Sequence, residues 1–252
     1  MGYNINKINT EMYTGMKSIT ETITTPVTLS CDVAVCGGGI AGISAALAAA
    51  RRGSDVLLIE REFAPGGLST LGLVTIYLPI CDGMGHQVIY GIGEELLRLS
   101  IKHGCECKRP APWLDGGSAE EKAAVRFQAG FNGPLFMLEA EKLLRDAGVR
   151  ILYGTQICSA VTDNGRIEAL VIENKSGRSA VEIKKAVVDA TGDADIAAFA
   201  GAGTVLYGRG NTLAGWYYFI DSKERRCRLL GGAEITDEQA AAGKKQPKLQ
   251  IG

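Results

Sequence analysis

The most constraining feature of this chain is the order of four segments between Asp32 and Glu60. Asp32-Val-Ala-Val-Cys36 is a short apolar run fit for a buried parallel strand. Gly37-Gly38-Gly39 follows, and then Ile40 to Arg52, rich in alanine, with Ile40, Ile43, Leu47 and Ala50 at helical spacing. Gly53 closes that helix, and Asp55-Val-Leu-Leu-Ile-Glu60 is a second buried strand. Strand, glycine-rich turn, helix and strand within about 30 residues make a right-handed, parallel βαβ unit.

The spacing Gly37-x-Gly39-x-x-Gly42 carries little alone. With 33 glycines in 252 residues, chance yields about half a copy of it per chain. Its context carries the argument. Gly37 permits the tight turn, Gly39 lets a pyrophosphate approach the backbone, and Gly42 lets the helix sit close to the strand. Ala46 keeps the same contact face small. The amides of the helix start then face the phosphates, with about half a unit of positive charge behind them. Glu60 ends the second strand, where a carboxylate accepts hydrogen bonds from ribose hydroxyls. Such a charged hydrogen bond contributes roughly 1.5–3 kcal/mol, and the same charge disfavours a 2′-phosphate. Gly37, Gly38, Gly39, Ile40, Ala41, Gly42 and Glu60 are therefore candidate dinucleotide ligands.

Beyond this unit the chain is glycine-rich and irregular from Ala64 to Gly91. A helix is expected from about Gly93 to His103, then a loop with Pro110 and Pro112. Ser118 with Glu121 has the form of a capping box opening a short helix. Pro134 suits a first helical turn, and that helix runs to Gly148 before a strand from Val149 to Tyr153. Three short strands follow, Thr155 to Thr162, Arg166 to Glu173 and Ser179 to Ile183, with turns at Asp163-Asn164-Gly165 and from Asn174 to Gly177. A separate strand, Ala186 to Ala190, leads through Thr191-Gly192-Asp193 into a short helix ending at Gly201.

The βαβ unit alone does not choose between FAD and NAD, but the downstream order does. Val35 to Gly42, Leu58 to Arg61, Gly66-Gly-Leu-Ser-Thr-Leu-Gly-Leu73, Asp82-Gly-Met-Gly85 and Asp189-Ala-Thr-Gly-Asp-Ala-Asp-Ile196 stand as five separated blocks. In these the chain resembles the N-terminal half of the FAD-dependent oxidoreductase family related to glutathione-reductase-type and succinate-dehydrogenase-type flavoproteins. The resemblance implies an α/β, Rossmann-like FAD-binding domain with a parallel sheet and an inserted three-stranded β-meander, followed by the start of a substrate domain. It implies that Glu60 holds the adenosine ribose, with Arg61 at the adenine rim. Gly66, Gly67, Leu68, Ser69 and Thr70 would run along the pyrophosphate and ribitol. Ile157 would meet the adenine through its backbone, and Thr191, Gly192 and Asp193 would cap the nucleotide.

The domain expectation is an arm over 1–30, the FAD-binding domain over 31–203, and an incomplete substrate domain over 204–252. Such proteins return to the FAD domain with a C-terminal segment, and nothing after Thr204 matches it. The reading is a FAD-dependent oxidoreductase acting on a small molecule. The alternatives are a nucleotide-binding subunit or incomplete fragment needing a second polypeptide, or an NAD-dependent enzyme. A C-terminal partner chain or a homo-oligomer is an expected partner.

A net charge of −1 leaves no electrostatic footprint for nucleic acid, and no apolar run approaches the length of a membrane span. Met1 to Ser30 is polar and does not read as a signal peptide, so the cytoplasm is expected. Seven cysteines, an odd number, do not form a disulfide framework, and Cys31, Cys36 and Cys158 sit in apolar runs as small core residues. His103-x-Cys105-x-Cys107 has ligand residue types but too few donors to close a site, so no metal is expected. Cys81 has no Cys-x-x-Cys partner and reads as an ordinary thiol. Catalytic residues are not identified, His86 being the one candidate as an acid–base near the flavin. The run Trp216 to Ile220 reads as a strand with alternate rings buried.

Overall fold

A computed structural model describes residues 20–203, together with two strands further along the chain. Six strands form one sheet: β1 (Val27–Cys36), β2 (Val56–Ile59), β5 (Arg150–Leu152), β6 (Gln156–Asp163), β7 (Arg166–Asn174) and β8 (Gly177–Asp189). Their order is β5-β2-β1-β8-β7-β6. The half from β5 to β8 is parallel, and β8, β7 and β6 pair antiparallel. The helices are α1 (Ile40–Ala50), α2 (Ile92–Ser100), α3 (Ala111–Leu114), α4 (Ala119–Ala123), α5 (Gly133–Asp146) and α6 (Asp195–Phe199). A two-stranded antiparallel pair, β3 (Ile76–Tyr77) with β4 (Ala129–Gly130), was not foreseen, because two residues show no periodicity.

The period of 2 along β1 and β2 explains the layering. Val33, Val35, Val56 and Leu58 turn to one face and join Ile43, Ala46 and Leu47 of α1, Leu96 of α2, and Phe136, Ala140 and Leu144 of α5. Ala34, Cys36, Leu57 and Ile59 turn to the other, in one apolar cluster with Ile157, Leu170, Ile172, Val181, Ile183 and Ile196. With both faces covered, these strands read as unbroken apolar runs. Each fully buried aliphatic side chain contributes about 1.5–3 kcal/mol.

Helix ends follow local chemistry. The amide of Gly53, at φ +82°, donates to Ala50 O and ends α1 two residues before Arg52. Ser118 and Glu121 make the reciprocal capping box at α4. Asn132 Oδ1 accepts from Leu135 N to start α5, with Pro134 in its first turn.

Three expectations need correction. The strand expected from Asp32 begins at Val27, because Val27, Leu29, Ser30 and Cys31 pair with the first half of β8. The third meander strand and the returning strand are one continuous β8. Lys184-Lys185 supplies no turn residue, and a register shift between Cys31 and Val33 lets β8 run past β1 unbroken. Cys158 is half-buried rather than a core residue. It lies on the edge strand β6, on the opposite face from buried Ile157.

The strands β9 (Thr212–Asp221) and β10 (Glu224–Glu234) pair antiparallel as a separate hairpin, with Trp216 opposite Leu229. The burial of the rings from Trp216 to Phe219, residues 1–19 and the polar tail from Thr236 lie outside the described residues.

Candidate functional site

The carboxyl ends of β1, β2 and β8 meet at the glycine-rich turn. Gly37 N donates to Ile59 O and Ala190 N donates to Cys36 O, each at 2.8 Å, so the turn is tied to both neighbouring strands. Gly37 lies at φ +101°, and a Cβ there would fall 2.4 Å from Ala190 O. At Gly42 a Cβ would sit 1.8 Å from Gly37 O. At Gly39 it would meet nothing within 4 Å. Two of these glycines thus serve close packing, and the third faces open space.

That space is a cavity of about 900 Å³. Gly37, Gly39, Ile40 and Ala41 line it at the start of α1, which carries no side-chain cap and no acidic residue in its first turn. The first-turn amides of a helix have no carbonyl one turn earlier to bond, so they stand ready for an anion. Glu60 and Arg61 line the cavity from the end of β2. Gly66, Gly67, Leu68 and Ser69 line it from a single 3-10 turn spanning Gly67–Ser69. Gly66 N donates to Gly38 O at 2.7 Å, and a Cβ on Gly67 would sit 3.2 Å from Gly39 Cα, so the two glycine segments lie against each other. Ile157, Thr191, Gly192 and Asp193 complete this part of the wall.

Three of the expected cofactor residues support the wall without lining it. Gly38 N donates to Glu60 Oε2 at 2.5 Å. Gly42 packs beneath the turn against Gly37 and Ala190. Thr70, 3% exposed, donates its hydroxyl to Pro65 O at 2.8 Å and holds the Gly66–Ser69 segment.

Glu60 is 7% exposed and reaches the cavity with both oxygens already engaged. Oε2 accepts from Gly38 N and Oε1 accepts from Glu62 N at 2.8 Å. A carboxylate offers about four lone-pair sites, which leaves capacity for two hydroxyls.

Residues that sequence reasoning passed over supply much of the wall. Leu71, Val74, Ile76, Tyr77, Leu78 and Phe131 form an apolar section, and Thr155 and Phe199 contribute elsewhere. Tyr77 donates its hydroxyl to Gly93 O at 2.8 Å, and burial raises its pKa. Leu71 falls within the Gly66–Leu73 block, no local motif marks the others, and the β3–β4 pair brings Phe131 beside Ile76 and Tyr77 from a distant chain position. Asp189 is another. Its Oδ1 accepts from Thr191 Oγ1 at 2.7 Å and Thr191 N at 3.2 Å, and its Oδ2 accepts from Ile196 N and Ala197 N at 3.0 Å. Burial works to raise this carboxyl, but the bonds from Thr191, Ala197 and Ile196 outweigh it and hold the pKa below the usual value. Asp189 thereby shapes the Thr191-Gly192-Asp193 loop, which also needs Ala194 at φ +59°.

The other chemical candidates lie elsewhere. His86 is exposed, pairs with Asp82 through Nδ1 at 2.9 Å, and is not on the cavity wall. His103 Nε2 meets Glu139 Oε1 at 2.6 Å rather than either nearby cysteine. Cys81 Sγ accepts from Phe127 N at 3.2 Å. Burial pushes the Cys31 thiol up to about 11 and raises Cys36 further. Among the described residues no group of three or more His, Cys, Asp or Glu side chains is arranged to hold a metal ion, and no helix is long and apolar enough to cross a membrane.

Comparison with known proteins bears on this geometry. A family model described as FAD dependent oxidoreductase matches residues 32–215. Thioredoxin reductase of Ureaplasma parvum serovar 3 is 33% identical over 70 residues, which is 28% of this chain and 23% of that protein. Among solved structures, a geranylgeranyl bacteriochlorophyll reductase-like protein from Thermoplasma acidophilum shares the fold at 19% identity and a TM-score of 0.52, over 76% of this chain and 47% of that one. A 3-ketosteroid-delta4-(5alpha)-dehydrogenase from Rhodococcus jostii is 21% identical with a TM-score of 0.44, over 66% of this chain and 48% of that one. The chain spans about a quarter of the curated relative and about half of each of these two structures.

Proposed function

This chain belongs to the FAD dependent oxidoreductase family, and we propose that it is the FAD-holding part of a flavin-dependent oxidoreductase acting on a small molecule. FAD is its cofactor. The residues present fit that group: the glycine turn is open above Gly39, the start of α1 is uncapped, and the Glu60 carboxylate stands on the same wall. The open space above Gly39 carries the reading, because a Cβ there would fill the approach a pyrophosphate needs.

Bound FAD supplies hydride or electron transfer. The chain binds and orients it. The α1 amides would face the diphosphate, and Glu60 would accept from ribose hydroxyls on its remaining lone pairs. Arg61 and Ile157 would hold the adenine end, and the 3-10 turn at Gly67–Ser69 would hold the phosphates and ribitol. Val74, Ile76, Tyr77 and Phe131 exclude water from the apolar section of the cavity. The six described cysteines are free thiols, which supports a reducing compartment such as the cytoplasm.

The test is an absorbance spectrum of the purified chain, then chromatography of the cofactor released on denaturation. Visible flavin absorbance with FAD released supports the reading. A colourless protein that takes up neither FAD nor NAD overturns it for this chain alone.

A second reading is favoured by Leu68 and Leu78, which line the cavity yet are 74% and 69% exposed. Apolar side chains left open beside a binding cavity are covered when more polypeptide is present, so FAD binding here is completed by a further segment or a second chain. A size measurement with and without FAD, and a search for a co-purifying chain, distinguishes the two.

A further inference from the structure

Cys105 and Cys107 lie in a bend before α3, away from the FAD cavity, with their sulfurs 3.7 Å apart. Both grip the same residue. Gly130 N donates to Cys107 Sγ at 3.0 Å, and Cys105 Sγ donates to Gly130 O at 3.3 Å. Between them Glu106 N donates to Gly130 O at 2.8 Å, and Glu106 Oε1 accepts from Asn132 Nδ2 at 3.0 Å. The missing side chain of Gly130 makes this approach possible, since a Cβ there would fall 3.2 Å from both Cβ and Sγ of Cys107. The two thiols are thus held toward each other by a backbone frame. Cys107 is exposed, Cys105 is half-buried, and both are free.

We propose that Cys105 and Cys107 are a thiol–disulfide exchange site that takes small-molecule disulfides. The steps balance. The Cys107 thiolate attacks one sulfur of the incoming disulfide, forming a mixed disulfide and expelling one thiolate, which takes up a proton. The Cys105 thiolate then attacks the Cys107 sulfur, closing the intrachain bond and expelling the second thiol. Two electrons and two protons pass from the pair to the small disulfide. The sulfurs close from 3.7 Å to about 2.05 Å, the length of the bond. Cys107 attacks first because it is the accessible sulfur. Burial raises the Cys107 thiol, with the Gly130 amide partly offsetting that, so exchange speeds up as pH rises. The proposal does not depend on the identity of the cofactor.

The experiment uses the full chain, reduced and then equilibrated with mixtures of reduced and oxidised glutathione. After alkylation and trypsin, cleavage at Lys102 and Lys108 releases the peptide from His103 to Lys108, which holds both cysteines. The expected result is a peptide two hydrogens lighter that has lost both alkylatable thiols, in a fraction that rises with the oxidised share. In the Cys105→Ser variant a glutathione adduct accumulates on Cys107, because no second sulfur expels it. Full alkylation of both cysteines in the most oxidising mixture would overturn the proposal. So would linkage of either cysteine to a third cysteine, or no adduct on Cys107 in the variant.

Discussion

The carboxylate of Glu60 holds the backbone amide of Gly38 at 2.5 Å, joining the end of β2 to the middle of the glycine turn. Glu60 therefore has two tasks: it braces the turn through Gly38 and Glu62, and it offers its remaining lone pairs to the cavity. A Cβ on Gly38 would sit 2.9 Å from Glu60 Oε2, so the bond requires glycine at that position as well as an acid.

Glu60→Gln tests the bracing task. An amide side chain has one acceptor oxygen and presents N–H to the other backbone donor, leaving a buried amide without a partner. The variant should lose about 1–3 kcal/mol of stability and bind FAD more weakly. Denaturant unfolding and a fluorescence titration with FAD measure the two effects separately.

The glycines divide by what surrounds them. Gly42→Ala puts a Cβ 1.8 Å from Gly37 O, so the backbone must move, and the loss should exceed about 1 kcal/mol. Gly39→Ala meets no protein atom within 4 Å and starts from φ −68°, which alanine adopts freely. Its stability should stay within about 1 kcal/mol of the parent. Its FAD affinity should fall at least about tenfold, or about 1.4 kcal/mol, because the new methyl group occupies the approach of the pyrophosphate. Equal affinity for FAD in Gly39→Ala would remove the pyrophosphate from that place.

Asp189 makes stability depend on acid. Its folded pKa lies below the usual value because the hydrogen bonds from Thr191, Ala197 and Ile196 outweigh the effect of burial. A carboxyl depressed in this way adds stability above its unfolded value of about 3.9 and loses it as pH falls through the folded value. Asp189→Asn should lower stability at pH 7 and flatten the decline below about pH 4. Unfolding midpoints measured across that range check both.

His86 is off the cavity wall and bonded to Asp82, whose carboxyl is lowered by the Met84 amide first and also by His86. His86→Ala should leave FAD affinity within about twofold of the parent, since its pair with Asp82 is screened by solvent and lies off the cavity wall. A drop of tenfold or more in the titration would place His86 on the cofactor's path.

What could be read early was local. The run from Asp32 to Glu60 announces its strands and helix through residues only a few positions apart, and Gly42 stands next to Gly37, whose backbone it accommodates. The capping box of Ser118 and Glu121 and the start of α5 at Asn132 are equally short-range. Val27 to Ser30 was not legible as strand, because four residues at the end of a polar stretch become one only when β8 lies beside them. Cys158 looked buried because its neighbours in sequence are apolar, whereas its exposure depends on β6 being an edge.

The sequence by itself determined the βαβ unit, the order of the strands that follow α5, and the uncapped glycine-rich start of α1. Periodicity, turn chemistry and capping act over a handful of residues and need no knowledge of the rest of the chain. Only the tertiary structure decided that Glu60 braces Gly38, and that Asp189 gathers two donors from Thr191 and two from the start of α6. It alone brought Ile76 and Tyr77 together with Phe131 on one wall, and Cys105 and Cys107 around Gly130. Each of these joins residues far apart in the chain or fixes a bend that pairing elsewhere imposes, and the free energy of such contacts exists only once the sheet and its helices have closed around them.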